Sequence, residues 1–376
     1  MATFFAVRRL REQGFMISNQ ILQNTIDGLK NIARVDLCVM DADGKEVAST
    51  ADMGTGSKEA AAFAVSPADS QEIQGYQYFK IFDEQQLEYV LIAGGTGEDV
   101  YMVGKMAAFQ IQSLLVAYKE RFDKDNFIKN LLLDNLLLVD IYSRSKKLHI
   151  QTDVPRVVMI LESGSGKDNN TLELVRAHFA SSSKDFITAV DENNVIVVRE
   201  LTEADAQREI EKMAMSLESF LQKEGIRDIR IAYGTVVQEI KEVSRSFKEA
   251  KMALDVGKIF FDDRRIIAYS ELGIGRLIYQ LPIPLCKMFI HEIFGRKSPD
   301  EFDEETLTTI YKFFENSLNV SETSRQLFIH RNTLVYRLDK LQKSTGLDLR
   351  IFEDAITFKI ALMVVKYMKY MENTDY

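Results

Sequence analysis

Apolar residues recur every three to four positions over residues 18–33, and this spacing predicts a helix with one buried side. Beyond it, runs with alternating or continuous apolar residues predict two hairpins, with strands at residues 36–40 and 46–50, and at residues 76–82 and 87–93. Asp41-Ala-Asp-Gly44 makes the first turn, because glycine can adopt a positive φ there. A polar, small-residue stretch up to Asp69 is predicted as a loop. The first 120 residues therefore predict a small α+β domain.

The order helix, hairpin, loop, hairpin, helix is typical of PAS-like and GAF-like ligand sensors, by analogy of fold alone. A glycine-rich loop in residues 91–100 leads from a strand into a helix, whose N-terminus could hold a ligand carboxylate. The loop is not a dinucleotide fingerprint, because Val100 stands where the third glycine is needed. The alternative to a ligand site is a plain connection capped by Thr96 or Asp99, since glycine turns are common in loops. The candidate effector-binding residues are Arg34, Lys58, Lys80, Gly95, Thr96 and Gly97.

The longest helical pattern runs over residues 99–147. It drifts and breaks around Asp123-Lys-Asp125, which predicts two helices. Residues 127–139 are apolar on almost every side, as in a helix that is buried in a core or against a second subunit. We interpret residues 121–149 as linker and dimerisation helices, with packing onto their own domain as the alternative.

Residues 150–290 alternate between strand-like and helical patterns of apolar residues, and this alternation predicts an α/β domain. Strands are predicted at 156–161, 187–190, 195–198 and 230–234, and helices at 171–181, 203–225 and 240–257. Asp191-Glu-Asn-Asn194 is a good turn for the central hairpin. A linker at residues 296–302 leads to a further helix at residues 303–317, and residues 353–371 predict a closing amphipathic helix.

Residues 319–346 predict two helices joined by a short turn. Ser321 is the predicted N-cap of a first helix over residues 322–328, whose inner face carries Thr323, Ser324 and Leu327. Ile329-His330 makes the turn, which His330 is expected to order. The second helix begins near Arg331 and ends near Ser344, with Gly346 in the left-handed position that follows a helix.

Leu334, Leu338 and Leu341 fall four and three residues apart, so they form one buried stripe on the second helix. A helix-turn-helix places such a helix in the DNA major groove. Arginine and asparagine can pair with guanine and adenine there, threonine can reach a base, and lysine or tyrosine can contact phosphates. The candidate DNA-binding residues are Ser321, Arg331, Asn332, Thr333, Tyr336, Arg337 and Lys340.

The local charge of this segment supports the interpretation as a DNA-binding helix-turn-helix. Residues 319–350 hold six Lys and Arg residues against three acids, a net charge of +3 in a chain of −9. The alternative is an ordinary helical hairpin with a solvated basic face.

The motif Leu327-Phe-Ile-His-Arg-Asn-Thr-Leu-Val-Tyr-Arg-Leu338, followed by Thr345-Gly-Leu-Asp348, resembles the C-terminal helix-turn-helix of the PucR/CdaR family of bacterial transcriptional regulators. The similarity continues through residues 352–362. Ser324 stands where the family mostly has alanine, and both residues are small. Residues 39–49 are similar to the strand–turn–strand of the family's sugar-diacid recognition domain, but the family's next stretch is not found.

Ser244-Arg-Ser-Phe-Lys-Glu-Ala-Lys-Met-Ala-Leu254 is also similar to a family segment, and the resemblance implies a nucleotide-cyclase-like middle domain. A cyclase needs acidic metal ligands and a Gly-Gly-Asp/Glu-Glu-Phe hairpin. Residues 191–194 have no glycine pair, so we predict a degenerate, structural domain. Gly164-Ser-Gly-Lys167 fails the spacing of a phosphate loop and is interpreted as a solvated turn.

The composition, 46% apolar and 27% charged, is that of an ordinary globular protein. No apolar run reaches the roughly 18 residues that span a bilayer. Cys38 and Cys286 are expected to be buried reduced thiols, which suits a cytoplasmic protein. The four histidines are far apart in the sequence and have no ligand at metal-binding spacing, so neither a metal nor a cofactor is expected.

Together these features predict a multidomain α+β chain. The expected domains are a PAS/GAF-like sensor (1–120), linker and dimerisation helices (121–149), a degenerate cyclase-like α/β domain (150–290) and an all-α helix-turn-helix domain (300–376). The expected function is a homodimeric, ligand-responsive regulator of a catabolic operon that binds double-stranded DNA. Its expected effector is a small carboxylic acid or related metabolite. Two alternatives stay open: a nucleotide-processing signalling enzyme with a regulatory helix-turn-helix, and an interaction module without salt-dependent duplex binding.

Overall fold

The computed structural model describes residues 17–51, 57–83, 85–95, 99–164, 170–180, 184–191, 193–202, 205–295 and 302–374. The chain divides into two compact units, Met1–Ile128 and Lys129–Tyr376. Several positions discussed above lie outside the described residues, namely Thr96, Gly97, Lys167, Glu192 and most of the linker at 296–302.

The first unit is built on a five-stranded antiparallel sheet. Its elements are α1 (Asn19–Ala33), β1 (Asp36–Asp41), β2 (Glu46–Ser49), α2 (Ser57–Ala64), β3 (Ser70–Ile73), β4 (Tyr76–Asp83), β5 (Gln86–Gly94) and α3 (Val100–Leu132). The strand order is β2-β1-β5-β4-β3. Leu37 and Val39 of β1 pack against α1 and α3, whereas Cys38 and Met40 pack with α2. The sheet is therefore covered on both faces.

Both predicted hairpins are present, and Gly44 has a φ of 79°. A Cβ atom on Gly44 would lie 2.2 Å from the carbonyl oxygen of Ser57, so glycine is required for space as well as for conformation. The loop predicted up to Asp69 is wrong, because it contains α2 and leads directly into β3. Alanine is the best helix former, and α2 holds four alanines that let it pack closely on the sheet.

The predicted break at Asp123-Lys-Asp125 is also wrong, since α3 continues through it to Leu132. Charged residues favour a helix when they pair along it, as Lys124 does with Glu120 at 2.6 Å. The helix ends where Asp134 takes a positive φ of 62° and the Asn135 N–H donates to the Asn130 carbonyl at 2.9 Å. The next helix, α4, spans Leu138–Lys147.

By length and composition α3 could cross a membrane. Its apolar character has another explanation in the structure. Val103, Ala107 and Ile111 are buried in the core of the first unit, and they share one side of the helix. That is how the core helix of a globular domain is composed.

The second unit begins with a mixed five-stranded sheet in the order β10-β9-β6-β8-β7. Its elements after α4 are β6 (Arg156–Ser163), α5 (Thr171–His178), β7 (Phe186–Ala189), β8 (Asn194–Glu200), α6 (Ala206–Lys223), β9 (Ile229–Tyr233), α7 (Val243–Phe260), β10 (Ile266–Ala268), α8 (Gly275–Tyr279), α9 (Ile283–Phe294), α10 (Glu304–Glu315), α11 (Val320–Gln326), α12 (Arg331–Thr345) and α13 (Phe352–Thr374). Each strand and helix predicted in residues 150–257 is present. The short elements β10 and α8 and the longer helix α9 were not predicted.

Helix α13 belongs to two cores. Phe358 and Ala361, in its first half, pack with the leucines of α12, whereas Val364 and Tyr367 pack with α7, α8 and α9. The predicted boundary at residues 290–300 thus separates regions that share a helix.

Candidate nucleic-acid interface

Helix α12 is held firmly at both ends. The His330 side chain caps its start, because Nδ1 accepts a hydrogen bond from the Asn332 N–H at 3.2 Å. Gly346 ends it in the left-handed conformation, with a φ of 81°. Both roles agree with the sequence-based expectation, and both satisfy backbone groups that a helix end leaves unpaired.

The inner face of the motif is apolar and tightly packed. Leu334, Leu338 and Leu341 are buried in one cluster with Ile310 and Phe313 of α10. Thr323 and Ser324 are buried on α11, and the Ser324 hydroxyl donates to the Ser321 carbonyl at 3.0 Å. The predicted inner stripe and the small residue at the crossing are therefore confirmed.

Ser321 is not the cap of α11. Asn319 is, and its Oδ1 accepts from the backbone N–H groups of Ser321 and Glu322 at 3.0 and 3.1 Å. The helix consequently begins two residues earlier than predicted, at Val320. Asparagine and serine are both good caps, so spacing alone did not separate them. Ser321 lies exposed in the first turn.

The outer face of α12 presents polar groups to solvent. Arg331, Asn332, Thr333, Tyr336 and Lys340 are exposed, and Tyr336 is 68% exposed. Within the described part of the chain, no hydrogen bond or ion pair engages these five side chains. A rigid, anchored helix thus displays groups that are free to meet an external partner.

Arg337 points elsewhere. Its Nη1 donates to the Thr309 hydroxyl at 3.0 Å and its Nη2 pairs with Glu305, so the guanidinium ties α12 to α10. It is only 24% exposed. The sequence placed Arg337 among the DNA-contacting residues, but its partners on α10 lie about thirty residues earlier and could not be read from the motif.

Other cations of the segment are also neutralised. Arg325 pairs with Glu322 at 2.5 Å, and Arg350 pairs with Asp348 at 2.7 Å and with Asp339 at 2.9 Å. The hydrogen bond that Arg325 donates to the Glu322 carboxylate raises the pKa of Arg325 above its usual range. Across described residues 319–350, the cations that form no ion pair with an acid are Arg331, Lys340 and Lys343.

Asp303 lies at the edge of this positive surface and caps α10. Its carboxylate accepts the Thr306 N–H at 2.7 Å. This hydrogen bonding lowers the pKa of Asp303, and the positive charges of Lys340 and Arg337 lower it further.

One exposed residue was missed by the sequence reasoning. Phe328 is 96% exposed in the turn between α11 and α12, and its φ is 55°. The sequence placed it inside the first helix. A positive φ is unusual for an aromatic residue, and no glycine or asparagine marked the turn. Its ring adds an apolar element to the outer surface of the motif.

The candidate effector residues occupy separate elements of the first unit. Arg34 ends α1 in the left-handed conformation, and Lys58 is exposed in the first turn of α2. The Lys80 ammonium donates to the Ser66 carbonyl and lies 5.2 Å from the Phe63 ring centroid. Gly95 follows β5. No hydrogen bond or ion pair between the described residues joins these candidates to one another.

The middle sheet carries a polar cavity of about 350 Å³ at the end of β6. Glu162 and Lys258 line it and form an ion pair at 2.5 Å. In the adjoining hairpin, the Asp191 carboxylate accepts the backbone N–H groups of Asn193 and Asn194 at 3.0 and 2.8 Å. Among the residues that can be described, no cluster of three or more His, Cys, Asp or Glu side chains could hold a metal ion.

Comparison with known proteins identifies two regions of the chain. Residues 306–364 match the PucR C-terminal helix-turn-helix domain, and residues 135–256 match the GGDEF-like domain. The carbohydrate diacid regulator of Escherichia coli is 24% identical over 287 residues, which are 71% of this chain and 72% of that protein. The purine catabolism regulatory protein of Bacillus subtilis is 27% identical over 137 residues, 36% of this chain and 26% of its own length.

Among solved structures, the regulator of polyketide synthase expression from Bifidobacterium adolescentis covers 66% of this chain and 98% of its own. Its TM-score is 0.32 and its sequence is 14% identical. The matched helix-turn-helix and the curated relatives agree with the motif in residues 327–348, and the GGDEF-like region agrees with the cyclase-like middle domain implied by residues 244–254. Residues 306–364 therefore match the helix-turn-helix of the PucR group, and these findings support the PucR/CdaR family of bacterial transcriptional regulators as the family that this chain resembles.

Proposed function

We propose that this chain regulates transcription by inserting the N-terminal half of α12 into the major groove of duplex DNA. The observation that carries the proposal is the division of α12 into two faces. The leucines are buried against α10, and the groups on the opposite side have no partner in the described chain. A helix-turn-helix uses this division to hold its reading helix rigidly while exposing its base-contacting groups.

The side chains near the start of α12 are suited to base edges. Arg331 and Asn332 can pair bidentately with guanine and adenine, and Thr333 can contact a base or a methyl group. Tyr336, Lys340 and the exposed Ser321 are suited to phosphates, which set the register of the protein on the duplex. Arg337 contributes indirectly, because its bonds to Thr309 and Glu305 of α10 fix the orientation of α12.

We further propose that the regulator is a homodimer, since reading two half-sites needs two copies. Met102, Met106, Phe109 and Val116 lie on one side of α3, and each is more than half exposed. Their separations of four, three and seven residues are those of a coiled-coil seam. In the predicted dimerisation segment, Phe127, Ile128, Leu131 and Leu132 are buried, whereas Leu133, Leu137, Leu138 and Val139 are exposed. The seam on α3 is therefore the stronger candidate for the subunit contact.

The first unit is proposed to sense a small carboxylic acid or related metabolite, and so to control a catabolic operon. The antiparallel order β2-β1-β5-β4-β3 with helices on both faces is compatible with a PAS-like sensor. The relative named as a carbohydrate diacid regulator supports an acidic effector. Arg34, Lys58, Lys80 and the loop at residues 95–97 stay the candidate anchors.

The middle sheet is proposed to serve as a structural domain. Lys258 neutralises Glu162 in its cavity, and the Asp191 carboxylate is occupied by backbone N–H groups. Two-metal phosphoryl transfer needs carboxylates that are free to coordinate. Incubation of the full chain with Mg²⁺ and labelled nucleotide tests this. A product whose formation is abolished by Asp191→Ala would establish the enzyme alternative instead.

The DNA proposal is tested by selecting a binding site from random duplexes with the full chain and then measuring affinities by gel shift. Arg331→Ala should weaken the selected site by about 1–3 kcal/mol relative to random DNA, because a base contact is lost. Lys340→Ala should weaken both duplexes alike and lower the slope of log affinity against log salt by about 1. An Arg331→Ala variant that still discriminates as the wild type does would remove α12 from the reading surface.

A further inference from the structure

A cleft of about 540 Å³ lies where the middle sheet domain meets the helix-turn-helix, wholly inside the second unit. Its floor and walls are mainly apolar and come from α7, the loop before α8, α10 and α13. The contributing side chains are Phe260, Leu272, Ile274, Phe314, Leu362 and Met363. This volume lies in the range of small-molecule sites, which are about 300–1,000 Å³ and largely apolar.

The charges around the cleft are paired with one exception. Lys366 pairs with Asp262 at 3.0 Å, Glu271 with Arg264 at 3.2 Å, and Glu315 with Lys312 at 2.5 Å. Lys359 also lines the cleft and is exposed, and no acid in the described chain pairs with it. Its Nζ lies 5.8 Å from the centroid of the Phe314 ring, one of the apolar walls.

We propose that this cleft binds a small amphipathic carboxylate, with its apolar body against Phe314, Leu362 and Ile274 and its carboxylate at Lys359. The apolar walls favour a ring or short chain, because burying such surface is favourable. The unmatched ammonium selects an anion over a neutral molecule of the same shape. This site is separate from the effector site proposed in the first unit.

The position of the cleft gives the ligand a route to α12. Tyr311 and Phe314 of α10 face the cleft, while Glu305 and Thr309 of the same helix hold Arg337. A ligand in contact with both α10 and the loop at Ile274 would restrict α10 relative to the middle sheet. It would thereby bias the orientation of α12 if it binds one arrangement better than another. This coupling rests on the proposed function, whereas the binding itself does not.

The binding is tested on the full chain with phenylbutyrate and its neutral counterpart phenylbutanamide, by calorimetric titration. Phenylbutyrate should saturate one site with a Kd of about 1 mM or tighter. Lys359→Gln should weaken phenylbutyrate by roughly fivefold and leave phenylbutanamide unchanged, because only the carboxylate uses that charge. Lys287→Gln, an exposed lysine on α9, is the matched control and should bind as the wild type does.

Ile274→Trp provides a second variant, since Ile274 is 43% exposed and the larger tryptophan side chain would fill the cleft without disturbing a buried core. It should abolish binding of both compounds. The proposal is overturned if phenylbutyrate shows no saturable binding to the wild type, if Lys359→Gln binds it equally well, or if Ile274→Trp retains it. The DNA gel shift is read independently, so a failure of α12 to bind DNA would leave these titrations unaffected.

Discussion

The outer face of α12 and the cavity at the end of β6 both carry charged side chains in regions that match known domains, but their charges are arranged differently. On α12, Arg331 and Lys340 form no ion pair with an acid in the described chain. In the cavity, Lys258 and Glu162 neutralise each other at 2.5 Å. A binding partner can contact the charges on α12 directly, whereas the ion pair in the cavity must first be broken before either charge can bind a ligand. Unpaired charge on the outer face of α12 is therefore what distinguishes the proposed DNA interface from the cavity.

The largest effect should come from removing the anchor of α12. Leu338→Ala leaves a cavity among buried side chains and should lower the free energy of unfolding by about 2–5 kcal/mol. Urea denaturation followed by circular dichroism measures this. Tyr336→Ala, on the exposed face of the same helix, should change it by no more than about 0.5 kcal/mol. Similar losses in the two variants would contradict the assignment of faces.

The cap of α11 should have the next largest effect. Asn319→Ala removes the acceptor of two backbone N–H groups and should cost about 1 kcal/mol of unfolding free energy. Ser321→Ala should cost much less, because its hydroxyl caps nothing in the structure. The same denaturation experiment compares the two, and a reversed order would restore Ser321 as the cap.

The ion pair in the cavity should contribute less still. Glu162 and Lys258 are 24% and 25% exposed, so solvent screens their attraction, and a double-mutant cycle should give a coupling of at most about 1 kcal/mol. Lys258→Ala should also leave the DNA affinity of the chain unchanged. An altered DNA affinity of the Lys258→Ala variant would show that the cavity contributes to DNA binding.

Asp303 supplies the smallest effect, as a dependence of stability on pH. Its pKa is lower in the folded chain because its carboxylate accepts the Thr306 N–H. The stabilisation is therefore present above the pKa of the unfolded chain and is lost as pH falls through the folded pKa. Asp303→Asn keeps a capping oxygen but does not titrate, so its melting temperature should fall less than that of the wild type in acid. Parallel melting curves for the two chains would exclude this contribution.

Local patterns in the sequence were sufficient for much of the DNA-reading motif. The spacing of Leu334, Leu338 and Leu341 defined the buried face of α12, and His330 and Gly346 marked its ends. These features act within a few residues of one another, so periodicity and capping rules apply directly. The hairpins of both sheets were predicted for the same reason.

Features that depend on distant partners were not predictable in this way. Arg337 has the spacing of an exposed residue, yet Glu305 and Thr309 draw it to α10. Charged residues at 123–125 suggested a break, but α3 continues through them, with Lys124 paired to Glu120 along the helix, and the turn occurs at Asp134 instead. The exposure of Phe328 depends on a turn in which this residue has a positive φ, and no glycine in the sequence marks that turn.

Because α13 packs in two hydrophobic cores, it limits where the chain can be divided to make fusion proteins. A DNA-reading region excised at residue 300 would carry α13 away from α7, α8 and α9 and leave Val364 and Tyr367 in water. Such a graft should be insoluble or poorly folded, because each buried side chain exposed forfeits roughly 1.5–3 kcal/mol. A chimaera that joins a foreign input module to this output region should instead be fused near residue 129, where the second unit begins, and in continuous helical register, because α3 runs through this boundary to Leu132.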